Sequence, residues 1–198
     1  PFSIRPGLAL WNALERPAGE PAPAANNDLE RGAYLVNTLG HCGECHTPRT
    51  SSFAMDLKQS LAGNVIEGAY APDLRPKAMA KRGWSEQDLV QFLRTGLSPQ
   101  GVMTMGMFPV LQHSSAHMAE ADLKAMAAYL MQGEKPESKP PVAEAPQTQV
   151  SANGERVYIG LCAGCHGIDG QGQPHSSLRL DTNTTAMFPT PLNLVRVI

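Results

Sequence analysis

No apolar run in this chain of 198 residues approaches the roughly 20 residues that a helix needs to cross a bilayer. The longest candidates, around Ala125–Met131 and Gly7–Trp11, are far shorter, so any membrane association is expected to come through parts outside this sequence. No basic-then-apolar leader precedes Pro1, and a signal peptide is expected to have been removed or to lie outside the sequence. Lys and Arg form no run, are not interleaved with aromatics, and leave a net charge of −2. Nucleic-acid binding is therefore not expected. Aromatic residues make up only 6% of the chain and β-branched runs are few, which disfavours extensive sheet. Ala, Leu and Met, with 18 Gly and 17 Pro, favour a mainly α chain of short helices and long irregular loops.

Cysteine is also scarce, but its four occurrences are ordered as Cys42-Gly43-Glu44-Cys45-His46 and Cys162-Ala163-Gly164-Cys165-His166. Cys-x-x-Cys-His is the attachment sequence of c-type haem. Two intervening residues let one helical turn set both sulfurs along one edge of the porphyrin, for thioether bonds to its vinyl groups. The adjacent His46 or His166 is then the axial ligand of the iron, and its other ring nitrogen usually donates to a backbone carbonyl. A four-thiolate zinc site would use the same cysteines, but it leaves both histidines unexplained and closes a loop of over a hundred residues. A thioredoxin-like dithiol would need a βαβ pattern that is missing here. The expected cofactor is haem c, two per chain.

The text before each motif also repeats: Glu30-Arg31-Gly32-Ala33-Tyr34-Leu35-Val36 and Gly154-Glu155-Arg156-Val157-Tyr158-Ile159. Each reads as a short helix leading into the haem motif, with Asp28, and Ser151 or Asn153, as N-caps. Residues 134–150, rich in Pro, Glu, Lys and Gln, read as an interdomain linker. The expected organisation is a 1–24 leader, a haem domain over 25–133, the linker, and a second domain over 151–198 that is too short to be complete. Within the first domain, Ser85 is expected to cap a helix with Leu89, Phe92 and Leu93 on its apolar face and Gly96 at its end. A further helix is expected from about Glu120 to Met131.

The other axial ligand of the first haem has several candidates in "SPQGVMTMGMFPVLQHS" and just after it: Met103, Met105, Met107, Met118, His113 and His117. The stretch is Gly-containing and reads as a loop able to reach the haem face. For the second haem only Met187 and His175 follow the motif, and the true ligand is expected beyond Ile198.

"RGAYLVNTLGHCGECHTPR", "YAPDL", "GWSEQDLVQFLRTG" and "GMFPVLQHSSAHMAEADLKAMAAYL", with "VYIGLCAGCHGIDGQG" and "LNLVRVI" later on, resemble the tri-haem cytochrome c subunit of bacterial membrane-bound dehydrogenase complexes. These are the alcohol, aldehyde, gluconate, sorbitol and fructose dehydrogenases of the periplasmic face. The resemblance implies tandem cytochrome c-type domains, of which this chain holds the middle one with parts of the first and third. Residues 1–24 then correspond to the tail of a preceding haem domain, and the intact subunit holds three haems. It further implies Met107 as the sixth ligand of the first haem and Pro72 as the carbonyl acceptor for His46. In the second half the matching pair is Ser177-Leu178, with Ser in place of Pro, which puts that contact in question. Arg49, Tyr70 and Trp84 become candidates to reach the haem propionates.

The function so implied is electron transfer, without catalysis by this chain itself. Electrons would pass from a catalytic dehydrogenase subunit to ubiquinone or a terminal oxidase, at the periplasmic side of the inner membrane. The alternative is a catalytic di-haem cytochrome of peroxidase or thiosulfate-oxidising type; a third reading is a soluble di-haem shuttle.

Overall fold

The computed structural model describes residues 5–15, 26–137, 152–173, 177–188 and 190–198. Ser151, His175 and all of the expected linker beyond residue 137 lie outside these. The described elements are short helices and two small hairpins. In order they are α1 (Arg5–Glu15), α2 (Asp28–Tyr34), α3 (Gly43–His46), β1 (Asn64–Ile66), β2 (Ala69–Ala71), α4 (Pro76–Lys81), α5 (Glu86–Thr95), β3 (Leu97–Ser98) and β4 (Gly101–Val102). After these come α6 (Met107–His113), α7 (Glu120–Met131), α8 (Ala152–Leu161), α9 (Ala163–His166) and α10 (Leu192–Val197). Both hairpins are antiparallel, with Val65 opposite Tyr70 and Leu97 opposite Val102.

The helix ends follow local chemistry. Asn27, not Asp28, caps α2: its side chain accepts from the Glu30 amide at 2.9 Å, and Asp28 is the first helical residue. Asn and Asp serve equally as caps, but the cap must sit in extended backbone, and Asn27 has φ −151°. Similarly, Asn153 lies inside α8 rather than capping it. Helix α5 carries the expected reciprocal box, in which Ser85 and Asp88 each satisfy the other's backbone amide, and it ends at left-handed Gly96. Pro76 opens α4, where a missing amide proton costs nothing.

The core of residues 26–137 forms where α2, α5 and α7 pack together. Leu35, Val36, Leu89, Leu93, Leu123 and Leu130 are all buried in it. Helices α2 and α7 touch through backbone: a Cβ on Gly32 would lie 2.0 Å from the Ala125 carbonyl oxygen. Arg31 clamps the same crossing, donating to both carboxylate oxygens of Asp122 at 2.9 and 3.0 Å. After α2 the chain widens into one π-helical stretch, Leu35–Leu39, that delivers it to Cys42. A longer run separates Tyr34 from Cys42 than separates Tyr158 from Cys162, and the wider turn accommodates it.

Two tethers reach this core from elsewhere. The Trp11 indole of α1 donates to the Ser52 carbonyl at 2.8 Å. The start of the expected linker folds back, with the Glu137 amide donating to the Ala80 carbonyl at 3.0 Å. The second half lies against the first along a seam. Thr182 Oγ1 donates to the Pro99 carbonyl at 2.8 Å, and the Thr184 amide to the Gln100 carbonyl at 2.7 Å. Tyr70 meets Phe188 edge to face at 4.9 Å.

Candidate haem sites

Both Cys-x-x-Cys-His motifs fold into one helical turn. In the first, the His46 amide donates back to Cys42 O at 3.0 Å; in the second, the His166 amide donates to Cys162 O at 2.9 Å. The turns set Cys42 half-buried with Cys45 exposed, and Cys162 half-buried with Cys165 exposed, all four as free thiols. Among the described residues no three His, Cys, Asp or Glu side chains gather as a metal-binding group. The thiols therefore stand as two pairs, and the four-thiolate zinc reading has no geometry behind it.

The same two contacts fix each histidine. His46 Nδ1 lies 2.7 Å from the Pro72 carbonyl oxygen, and His166 Nδ1 lies 2.9 Å from the Leu178 carbonyl oxygen. A carbonyl only accepts, so the proton sits on Nδ1 and the Nε2 lone pair is left for a metal. The main-chain oxygen of each histidine is also held by a glycine amide, Gly63 for His46 and Gly172 for His166, both at 2.7 Å. Both glycines have positive φ, +88° and +70°. A Cβ on Gly63 would meet the Ala71 oxygen at 3.0 Å, and one on Gly172 the Ser177 oxygen at 2.7 Å. The substitution of Ser for Pro in the second half thus does not abolish the imidazole contact. The acceptor moves one residue on, to Leu178, while Ser177 Oγ bonds the Cys165 carbonyl and receives the Gln173 amide.

The first site is the more enclosed. His46 is 4% exposed, and burial pushes its imidazole below the ordinary value, against the bond to Pro72 that favours the protonated ring. The positive charge of Arg82 acts in the same direction as burial. Burial likewise pushes the Cys42 thiol up. An imidazole held neutral, with Nδ1–H anchored and Nε2 free beside two unpaired thiols, fits covalently attached haem c with its iron on Nε2. Haem c so held supplies a one-electron Fe(III)/Fe(II) couple.

The opposite-face candidates separate by environment. Met103 is 4% exposed and belongs to the core. Met105 sits at φ +52° in the turn before α6. Met107 is the first residue of α6, half-buried, in a helix rather than in the expected loop. Its amide bonds the Thr104 carbonyl at 3.2 Å, which starts the helical turn there. Met118 packs at the core margin. His113 is exposed, and the His117 ring Nε2 is 3.0 Å from the Gln112 carbonyl, a contact local to its own loop. In the second half Met187 ends a 3₁₀ turn, half-buried.

Two of the three expected propionate contacts have other partners. Arg49 bonds the carboxylate and carbonyl of Glu44, and the Trp84 indole donates to Thr184 Oγ1 at 2.9 Å across the seam. Sequence reasoning missed Thr184, Asn193 and Arg82. The seam residues have no signal in a single chain. Arg82, a cation between the apolar helix α4 and buried Gly83-Trp84, did have one.

The cytochrome c family model matches residues 29–134 and 151–194. Over its whole length the chain is 39% identical to part of a nicotinate dehydrogenase of Pseudomonas putida, covering 17% of that polypeptide. It is 34% identical to the fructose dehydrogenase cytochrome subunit of Gluconobacter japonicus, with 97% of this chain and 45% of the relative aligned. It is 35% identical to the cytochrome c subunit of the quinone alcohol dehydrogenase of Gluconobacter oxydans, with 100% and 45% aligned. The chain therefore spans less than half the length of each of these curated relatives.

Proposed function

The chain belongs to the cytochrome c family, and from that premise we propose that it is an electron-transfer segment of the cytochrome subunit of a dehydrogenase complex. It carries two haems c, one on Cys42 and Cys45 in a domain over 25–133, the other on Cys162 and Cys165 in a domain over 151–198. His46 and His166 bind the two irons, and Met107 completes the first. The intact subunit carries a third haem. It works at the periplasmic side of the inner membrane, receives electrons from a catalytic dehydrogenase subunit, and passes them to ubiquinone or a terminal oxidase.

The observation that carries this reading is the repeated histidine mount: an imidazole one helical turn after a cysteine pair, Nδ1 on a main-chain carbonyl, carbonyl on a glycine amide. Such a mount holds the ring rigid, and a rigid ligand set reorganises little when iron changes charge. The relatives support the partner class, since two are named as cytochrome subunits of dehydrogenases. Among the described residues no helix is long and apolar enough to cross a membrane, which fits a segment that meets its membrane through other parts of the subunit.

The test uses the haem-loaded chain. Pyridine haemochrome analysis is expected to give two haems per chain, and mixing with a reduced dehydrogenase subunit of the complex is expected to reduce both without added mediator. One haem per chain would overturn the count. Rapid peroxide turnover would replace electron transfer by the catalytic di-haem alternative.

A further inference from the structure

Arg82 follows α4, and its guanidinium is half-buried beside the first candidate haem site. Its Nη2 donates to the Asp73 carbonyl, next to Pro72, and approaches Met79 Sδ at 3.1 Å. Its Nε is sealed from solvent with no hydrogen-bond partner. No carboxylate bonds this cation. Asp73 faces it electrostatically, but that carboxylate is bridged through both oxygens by Arg75. A guanidinium shielded from water with one donor unmet is unfavourable unless an anion meets it. The one structural role visible, holding the Asp73 carbonyl, uses a single nitrogen and does not explain a planar fork of five donors.

The proximity to His46 suggests what that anion is. The charge of Arg82 is felt at the His46 ring, although no described contact joins the two side chains. Haem c attached at Cys42 and Cys45 brings two propionate carboxylates into this neighbourhood. A propionate is the kind of partner a guanidinium recognises best, by charge-assisted hydrogen bonds.

We propose that Arg82 is a positioning residue of the first haem, with its Nε–H donating to a haem propionate. This rests on reading Cys42, Cys45 and His46 as that haem's site. The pairing has an electrical consequence. A fixed positive charge opposite the propionate offsets its negative field at the iron, and so favours the ferrous form, which carries one positive charge fewer. Arg82 thereby raises the potential of the first haem relative to the same site without it, and leaves the second haem as an internal reference.

The experiment is a spectroelectrochemical titration of the haem-loaded chain and its Arg82→Gln and Arg82→Lys variants, with haem content measured first. In Arg82→Gln, which can still bond the Asp73 carbonyl, the ferric-to-ferrous equilibrium of the first haem is expected to shift up to tenfold toward ferric. That is a fall of up to about 59 mV for one electron. Arg82→Lys keeps the charge and is expected to recover most of the shift, and the second haem is unmoved in both. In ¹⁵N-arginine-labelled wild-type chain, one exchange-protected Nε–H resonance is expected to change position between the ferric and ferrous states. An unchanged first-haem potential in Arg82→Gln at full haem content overturns the proposal. So does the absence of a redox-sensitive Nε–H in the wild type, which decides the matter even if the glutamine variant fails to load. Wild-type chain without covalent haem at Cys42 and Cys45 would instead overturn the site reading on which this rests.

Discussion

Asn193 of α10 brackets the main chain of Tyr70 in β2, its Oδ1 accepting from the Tyr70 amide at 2.7 Å and its Nδ2 donating to the Tyr70 carbonyl at 2.8 Å. A side-chain amide thus completes an open strand edge as another strand would. Nearby, Arg196 donates to the Glu67 carbonyl at 2.7 Å. Tyr70 stands two residues before Pro72, whose carbonyl holds His46. The second half therefore grips the segment that orients the candidate iron ligand of the first.

Asn193→Ala is expected to lower the stability of the haem-loaded chain by about 1–3 kcal/mol, since two hydrogen bonds are lost and the strand edge reverts to water. Urea titration followed by haem absorbance measures it. Tyr70→Phe leaves the bracketed main chain and the edge contact with Phe188 in place, so it should shift the midpoint far less. Equal losses in the two variants would show that the ring, not the bracket, joins the halves.

Gly32 is needed for proximity. Any Cβ there meets the Ala125 oxygen at 2.0 Å and Tyr129 Cβ at 2.8 Å, both within helix α7. Neither atom belongs to the end of a flexible side chain, so α2 and α7 must separate. Gly32→Ala is expected to cost about 3 kcal/mol through overpacking. The loss should appear as a lower melting temperature of the haem-loaded chain, and a melting temperature equal to wild type would show that the crossing relaxes freely.

The motifs made the chemistry legible, because Cys-x-x-Cys-His is local: spacing along one helical turn settles which atoms meet. The same holds for the Ser85–Asp88 box and for α7, which runs over the residues its periodicity predicts. What failed to show depends on contacts distant in sequence or on fine choices of backbone. Asn27 and Asp28 are equally good caps, and only backbone conformation selects the first. Leu178 supplies its carbonyl where Ser177 was expected, because a carbonyl belongs to every residue and carries no sequence signal. Trp84 was read toward the haem, yet its indole is taken by Thr184, a hundred positions away.

Met107 and Met103 offer a paired test of the first haem's opposite face. Met103→Ala empties a site that is 4% exposed and should cost about 2–4 kcal/mol. It is expected to leave the weak near-infrared band of Met-ligated ferric haem intact. Met107→Ala should abolish that band and lower the first haem's potential, because a thioether ligand raises it. Loss of the band in the Met103 variant alone would transfer the ligand role to the core methionine.

The Arg31–Asp122 clamp gives a pH dependence whose sign follows from its geometry. The two hydrogen bonds from Arg31 hold the Asp122 carboxyl below its ordinary value in the folded chain, while the unfolded chain keeps it near about 3.9. Because the folded value is the lower one, the contribution is whole above the unfolded value. It fades as pH falls toward the folded value and is gone below both. Asp122→Asn removes it at every pH. The variant should therefore unfold at lower urea than wild type near neutrality, and the two midpoints should converge in strong acid. Both side chains are partly exposed, at 41% and 26%, so the neutral-pH gap should be modest and should narrow further in high salt. A gap that persists undiminished in acid would mean that Asp122 joins α2 to α7 by packing rather than by charge.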